Sequence, residues 1–173
     1  YSEYESIAKG DATIALDAAA AERIRNSRAF LEERTKTRKT PIYGVNTGFG
    51  ALCNVVVDND DLGRLQTNLV RSHACGAGAA VGQHIVRLMM ALKVQSFAVG
   101  VSGIRLEVVE QIITMFNSGA VPVIYELGSL GASGDLAPLA HMSLPLLGEG
   151  EVYLNDERIS TSEALQALGN SAW

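Results

Sequence analysis

The stretch Gly128 to Met142, GSLGASGDLAPLAHM, constrains the fold more than any other part of the chain. Three glycines fall within seven residues, and an apolar run holding Pro138 follows at once. Glycine weakens a helix interior, whereas proline is tolerated in a helix's first turn. The chain must therefore set a loop directly against a helix start. A helix is expected over Asp135 to Leu147, with Pro145 bending or ending it, and Val121-Pro-Val-Ile-Tyr125 reads as an extended lead into the loop.

The rest of the pattern is helical. Ala18 to Glu33 is rich in Ala, Glu and Arg, with Ile24, Phe30 and Leu31 as apolar contacts; a polar run then leads to the helix-breaking Pro41. Asp58 to Asp61 offers caps for a helix whose apolar face carries Leu62, Leu65 and Leu69, with His73 on the same face and Gly76 and Gly78 as its stop. Ile85, Leu88, Met89 and Leu92 mark another helix over Gln83 to Val99, apolar enough to be buried on more than one side. A helix over about Ile104 to Asn117 turns Val109, Ile112, Ile113 and Phe116 inward, with Gly119 as its stop. Val152 to Ile159 reads as a short hairpin around Asn155-Asp156, and Ser162 to Leu168 as a closing helix. The fold class is mainly α, with ordered loops and one short β-hairpin.

Composition removes several function classes. A formal charge of -5 and only 6% aromatic residues argue against nucleic acid, which needs basic grooves and stacking platforms. No stretch resembles a signal peptide or a membrane span, so the expected location is the cytoplasm. Cys53 and Cys75 lack the close spacing of a metal pair and read as reduced thiols, with Cys75 a small buried filler. Both termini, Tyr-Ser-Glu-Tyr and Gly-Asn-Ser-Ala-Trp, read as cut rather than finished.

Three places could carry chemistry. In Ala132-Ser133-Gly134 the plain reading is an N-cap, by Ser133 or Asp135, for the helix that follows. The sharper reading is a backbone that reacts with itself. Gly134 has no Cβ to block its amide nitrogen from the Ala132 carbonyl carbon, and ring closure with water loss would make the Ser133 hydroxyl a β-leaving group. The product is an exocyclic methylene, a carbon electrophile. Tyr43 lies among the glycines of PIYGVNTGFG, which permit close backbone approach to a ligand; it is otherwise a half-buried core tyrosine, and no Gly-Lys-Ser/Thr follows to make a phosphate loop. His73, a lone histidine on an apolar helix face near its end, reads from its position as a satisfied core or capping residue, whereas His84 reads as solvated and His141 as packed.

The words PVIYELGSLGASGDLAPLAHMSLPLLGEGEV, PIYGVNTGFGAL and LQTNLVRSHACG, in that order, resemble the aromatic amino-acid ammonia-lyase and aminomutase family over nearly the whole chain, from about Ala20 onward. The resemblance implies that 1–173 is the N-terminal domain of that all-helical, fumarase/aspartase-like fold, with the central helical bundle and C-terminal parts absent. It implies a methylidene-imidazolone (MIO) prosthetic group formed autocatalytically from Ala132, Ser133 and Gly134, oriented by Asp135, with neither metal nor pyridoxal phosphate. Tyr43 becomes the general base, for which positive potential would have to lower a phenol's ordinary pKa of about 10. Ser72, His73 and Gly50 line the substrate.

The Ser72-His73 pair points to the histidine branch: elimination of ammonia from L-histidine to give trans-urocanate. Tyrosine or phenylalanine lyases and 2,3-aminomutases are the alternatives, because bacterial tyrosine aminomutases also carry LVRSH. The family assembles as homotetramers whose sites draw on three subunits. Later segments supply an Asn, a carboxylate-binding Arg and further polar groups, so the chain alone is expected to be catalytically silent. A non-catalytic helical interaction domain is the reading from a different class.

Overall fold

The computed structural model describes residues 2–37, 41–48, 55–57, 61–129 and 136–169. Their elements run α1 (Ser2–Lys9), α2 (Ala18–Thr37), α3 (Leu62–His73), β1 (Ala77–Ala80), α4 (Gln83–Ala98), α5 (Leu106–Asn117), β2 (Val121–Pro122), β3 (Tyr125–Leu127), α6 (Leu136–Ser143), a 3₁₀ turn (Leu144–Leu147), β4 (Glu151–Leu154), β5 (Glu157–Ser160) and α7 (Thr161–Ala167). The mainly α class expected from the pattern holds, with two small sheets, β1–β3 and β2–β4–β5, whose pairings are antiparallel.

Helices α4 and α5 make the centre. Val86, Met90 and Val94 share one face of α4 at i, i+4 and i+8 and meet Val109, Ile112 and Phe116 of α5. Fully burying a side chain of this size contributes about 1.5–3 kcal/mol. The helix α1, which the sequence pattern did not reveal, buries no residue fully but packs on α4; Arg87 donates to the Ile7 carbonyl at 3.1 Å, and its guanidinium lies 4.5 Å from the centre of the Phe116 ring.

Several local expectations need correction. The fully buried face of α4 is Val86, Met90 and Val94, whereas Ile85 and Leu92, which marked the helix in the sequence, are exposed. Phe30 is also exposed, with the Arg34 guanidinium 5.4 Å from its ring centre. Helix α2 starts on Asp17, whose carboxylate accepts from the amides of Ala19 and Ala20, and runs on to Thr37, since basic residues in the last turn suit the negative helix end. Asp61 does not cap α3 with its side chain; it pairs with Arg64 instead. That helix stops at Ala74, before either glycine.

Other expectations hold. The hairpin turns at Asn155 (φ 51°) and Asp156 (φ 64°), the left-handed pair that a two-residue I′ turn requires. Ser160 and Glu163 close a capping box on α7, each side chain taking the other's backbone N–H, at 3.2 and 2.9 Å.

Candidate active site

Three segments bearing the predicted site converge on one corner: the end of α3, the end of β3 and the start of α6. Helix α3 delivers Ser72 and His73 in its last turn. The Ser72 hydroxyl donates to the Leu69 carbonyl at 3.0 Å. His73 Nδ1 lies 2.9 Å from the same carbonyl and 3.1 Å from Ser72 Oγ. A carbonyl only accepts, so Nδ1 carries the proton. In the neutral ring Nε2 then keeps its lone pair, and the half-buried His73 offers an acceptor at a fixed tautomer.

After His73 the chain turns sharply, the Ala74 amide donating to Val70 and the Cys75 amide to His73. The turn leaves Cys75 exposed, not buried as the sequence suggested. Gly76 and Gly128 then meet. A Cβ on Gly128 would lie 3.0 Å from the Gly76 Cα and 3.0 Å from the Ala137 Cβ, and Gly128 adopts φ +142°. Ordinary side chains fit neither constraint. Gly128 ends the lead-in from β3 while Ala137 lies in the first turn of α6, so the eight residues between them leave and return at one place. Ala132, Ser133, Gly134 and Asp135 belong to that stretch and lie outside the described residues, as does Gly50.

Arg71, beside Ser72, makes a bidentate pair with Glu149 beyond the 3₁₀ turn. The hydrogen bond from Arg71 holds the Glu149 carboxyl below its ordinary pKa. Tyr43 stands on a separate turn, residues 43–46, where Asn46 accepts the Ile42 amide at 2.7 Å and Thr47 pairs with Val56. Its ring is 64% exposed, so it is not the half-buried core tyrosine that was one reading of the sequence. Among the described residues no group of three His, Cys, Asp or Glu side chains could hold a metal, and no helix is long and apolar enough to cross a membrane.

Sequence reasoning missed the pairing of Gly76 with Gly128, which joins two of the quoted motifs. It also placed His141 only as packed: the ring is buried, and in addition its Nε2 accepts the Gly76 amide at 2.9 Å. His84 is exposed in the first turn of α4, as expected.

The family model for aromatic amino acid lyases matches residues 1–173. The chain belongs to this family. Among curated relatives, histidine ammonia-lyase from Symbiobacterium thermophilum is 43% identical over 167 residues, covering 96% of this chain and 33% of the relative. The protein of the same name from Myxococcus xanthus is 45% identical, again over 96% and 33%. Among solved structures, tyrosine aminomutase from Streptomyces globisporus superposes with a TM-score of 0.90 at 34% identity, covering 98% of this chain and 32% of that one. Histidine ammonia-lyase from Trypanosoma cruzi does so with 0.86 at 36%, over 98% and 32%. The chain thus spans about a third of the length of these relatives and matches their N-terminal portion.

Proposed function

We propose that the chain is the part of a histidine ammonia-lyase that carries its electrophile-forming loop, in a protein that eliminates ammonia from L-histidine to give trans-urocanate. The observation that carries the reading is the identity of 43–45% to histidine ammonia-lyases across nearly the whole chain. The corner geometry supports it. A self-derived MIO group needs no pocket for a foreign cofactor; it needs a tripeptide whose flanks are fixed. The contact of Gly128 with Ala137, in a cradle that a Cβ would fill, supplies fixed flanks. Formed there, the group would supply a carbon electrophile for the substrate amine, the chemistry that makes nitrogen a good leaving group.

The protein's own residues do the rest. Tyr43 Oη, exposed on its turn, takes the β-proton of the substrate. His73, its Nδ1 engaged by Leu69, presents Nε2 toward the substrate ring, with Ser72 beside it. Gly50 allows close approach of the backbone to the ligand, and Asp135, which follows the tripeptide in sequence, orients the loop. Removing one proton and one ammonia leaves the conjugated acid. Activity belongs to a homotetramer of full-length chains in the cytoplasm and persists without metal or pyridoxal phosphate; the 173-residue chain by itself does not turn over.

The test is an assay of the full-length protein with L-histidine, L-tyrosine and L-phenylalanine after dialysis against a chelator, alongside intact-mass measurement. Urocanate release with a mass deficit of two waters, both lost in Ser133→Ala, is expected. Turnover of tyrosine to a β-amino acid would move the assignment to an aminomutase, the activity named for the Streptomyces globisporus enzyme on which the chain superposes.

A further inference from the structure

His141 is the one buried imidazole among the described residues, 9% exposed on the inner face of α6, and the chemistry above gives it no role. Its surroundings are specific. The Gly76 N–H donates to Nε2 at 2.9 Å, and a Cβ on Gly76 would sit 3.0 Å from that nitrogen and 3.2 Å from the Leu127 carbonyl. The ring meets Tyr125 of β3 edge-on, with centroids 5.1 Å apart and planes at 72°. Tyr125 is itself anchored: its hydroxyl accepts from Arg158 at 2.7 Å, and Arg158 pairs with Glu151. A backbone amide only donates, so Nε2 is the unprotonated nitrogen and the proton sits on Nδ1.

One side chain thus touches the segment three residues past His73, the strand three residues before Gly128 and the helix that follows the Ala132–Gly134 stretch. We propose that His141 is a positioning residue: by accepting the Gly76 amide while braced on Tyr125, it sets the His73 segment in register with the two ends of the electrophile-forming loop. Its consequence for turnover rests on the ammonia-lyase reading; the hydrogen bond itself does not. A part-buried amide left without its acceptor is costly, so the Gly76 backbone would shift once the imidazole is gone, and with it the glycine–glycine contact at the loop's base.

The experiment uses the full-length protein and compares His141→Gln, whose side-chain oxygen replaces Nε2 as acceptor, with His141→Leu, which removes it. The readouts are amide exchange at Gly76, intact mass, and kcat against KM for histidine. In His141→Leu, Gly76 exchange is expected to rise and kcat to fall, each roughly tenfold, the scale of one lost hydrogen bond, with KM changed little. His141→Gln restores most of both. Wild-type exchange and wild-type mass in a folded His141→Leu protein would overturn the proposal. Should that variant fail to fold, nitrogen NMR of the wild-type imidazole decides: a proton on Nδ1 supports the proposal, and a proton on Nε2 ends it. A wild-type protein that protects Gly76 through His141 yet never loses two waters sinks the lyase reading and leaves the positioning contact standing.

Discussion

The α4–α5 core and the corner where Gly76, Gly128 and His141 meet are held by opposite means: side-chain volume in the first, its absence in the second. In the core, Met90, Val109 and Met115 are fully buried, and stability follows from filling space. In the corner two backbones touch because neither residue carries a Cβ, and one N–H···N bond ties the Gly76 backbone to the His141 ring. A core of that kind tolerates exchanges of similar shape. A corner of this kind tolerates nothing larger than hydrogen, yet adds little to global stability. Stability and site geometry are therefore set by different residues and should fail separately.

The largest effect belongs to the core. Phe116→Ala, at a ring 1% exposed beneath Arg87, is expected to cost about 3–5 kcal/mol by denaturant titration, while the folded fraction still shows the two-water mass deficit. A loss under about 1 kcal/mol would mean the core collapses around the void, and the contrast with the corner would weaken.

Gly128→Ala comes next. A Cβ there meets Gly76 and Ala137 at 3.0 Å with φ at +142°, strain of about 1–3 kcal/mol. The expected outcome is a smaller stability loss than in Phe116→Ala but a far larger loss of the mass deficit and of turnover. If Gly128→Ala keeps wild-type mass and activity, the glycine contact does not govern the loop.

This split also explains what the sequence disclosed. The core was legible because amphipathic periodicity records burial directly, as at Val109, Ile112 and Phe116. On α4 the face stayed open because Ile85, Val86, Met89 and Met90 are all apolar, so periodicity alone could not choose it. The corner was legible only as motif. Nothing in Gly76 or Gly128 announces which backbone it will touch, and strand β1, Ala-Gly-Ala-Ala, lacks every residue type that favours strands. Cys75 misled for a related reason: its type is usually buried, but the turn after His73 leaves it exposed.

A control away from both regions has a smaller effect. Ser160→Ala removes the side chain that caps α7 and is expected to cost about 1 kcal/mol, with no change in mass deficit or kcat. A change in kcat would show that α7 communicates with the corner, which would undo the separation.

The smallest expected effect is a slope rather than a step, and it tests whether the corner has any hold on stability at all. Burial keeps the His141 pKa below the ordinary imidazole value of about 6.5. The native state then binds fewer protons than the unfolded chain as pH falls below that value. Its contribution is fully present above about pH 6.5 and is lost as pH drops through the lowered native pKa. The titratable groups on the helix and strand packed against α6 are Arg64, Arg71 and His73 on α3 and Tyr125 and Glu126 on β3. Arg64 is paired with Asp61, Arg71 with Glu149, and the hydroxyl of Tyr125 with Arg158. Glu149, held low by Arg71, titrates below its ordinary value near 4.5, outside the window between pH 5 and 6.5. Melting temperatures measured across that window should fall with acid in the wild type and stay flatter in His141→Gln. Parallel curves would place the acid sensitivity elsewhere and reduce His141 from a fastening of the corner to a residue that merely fills it.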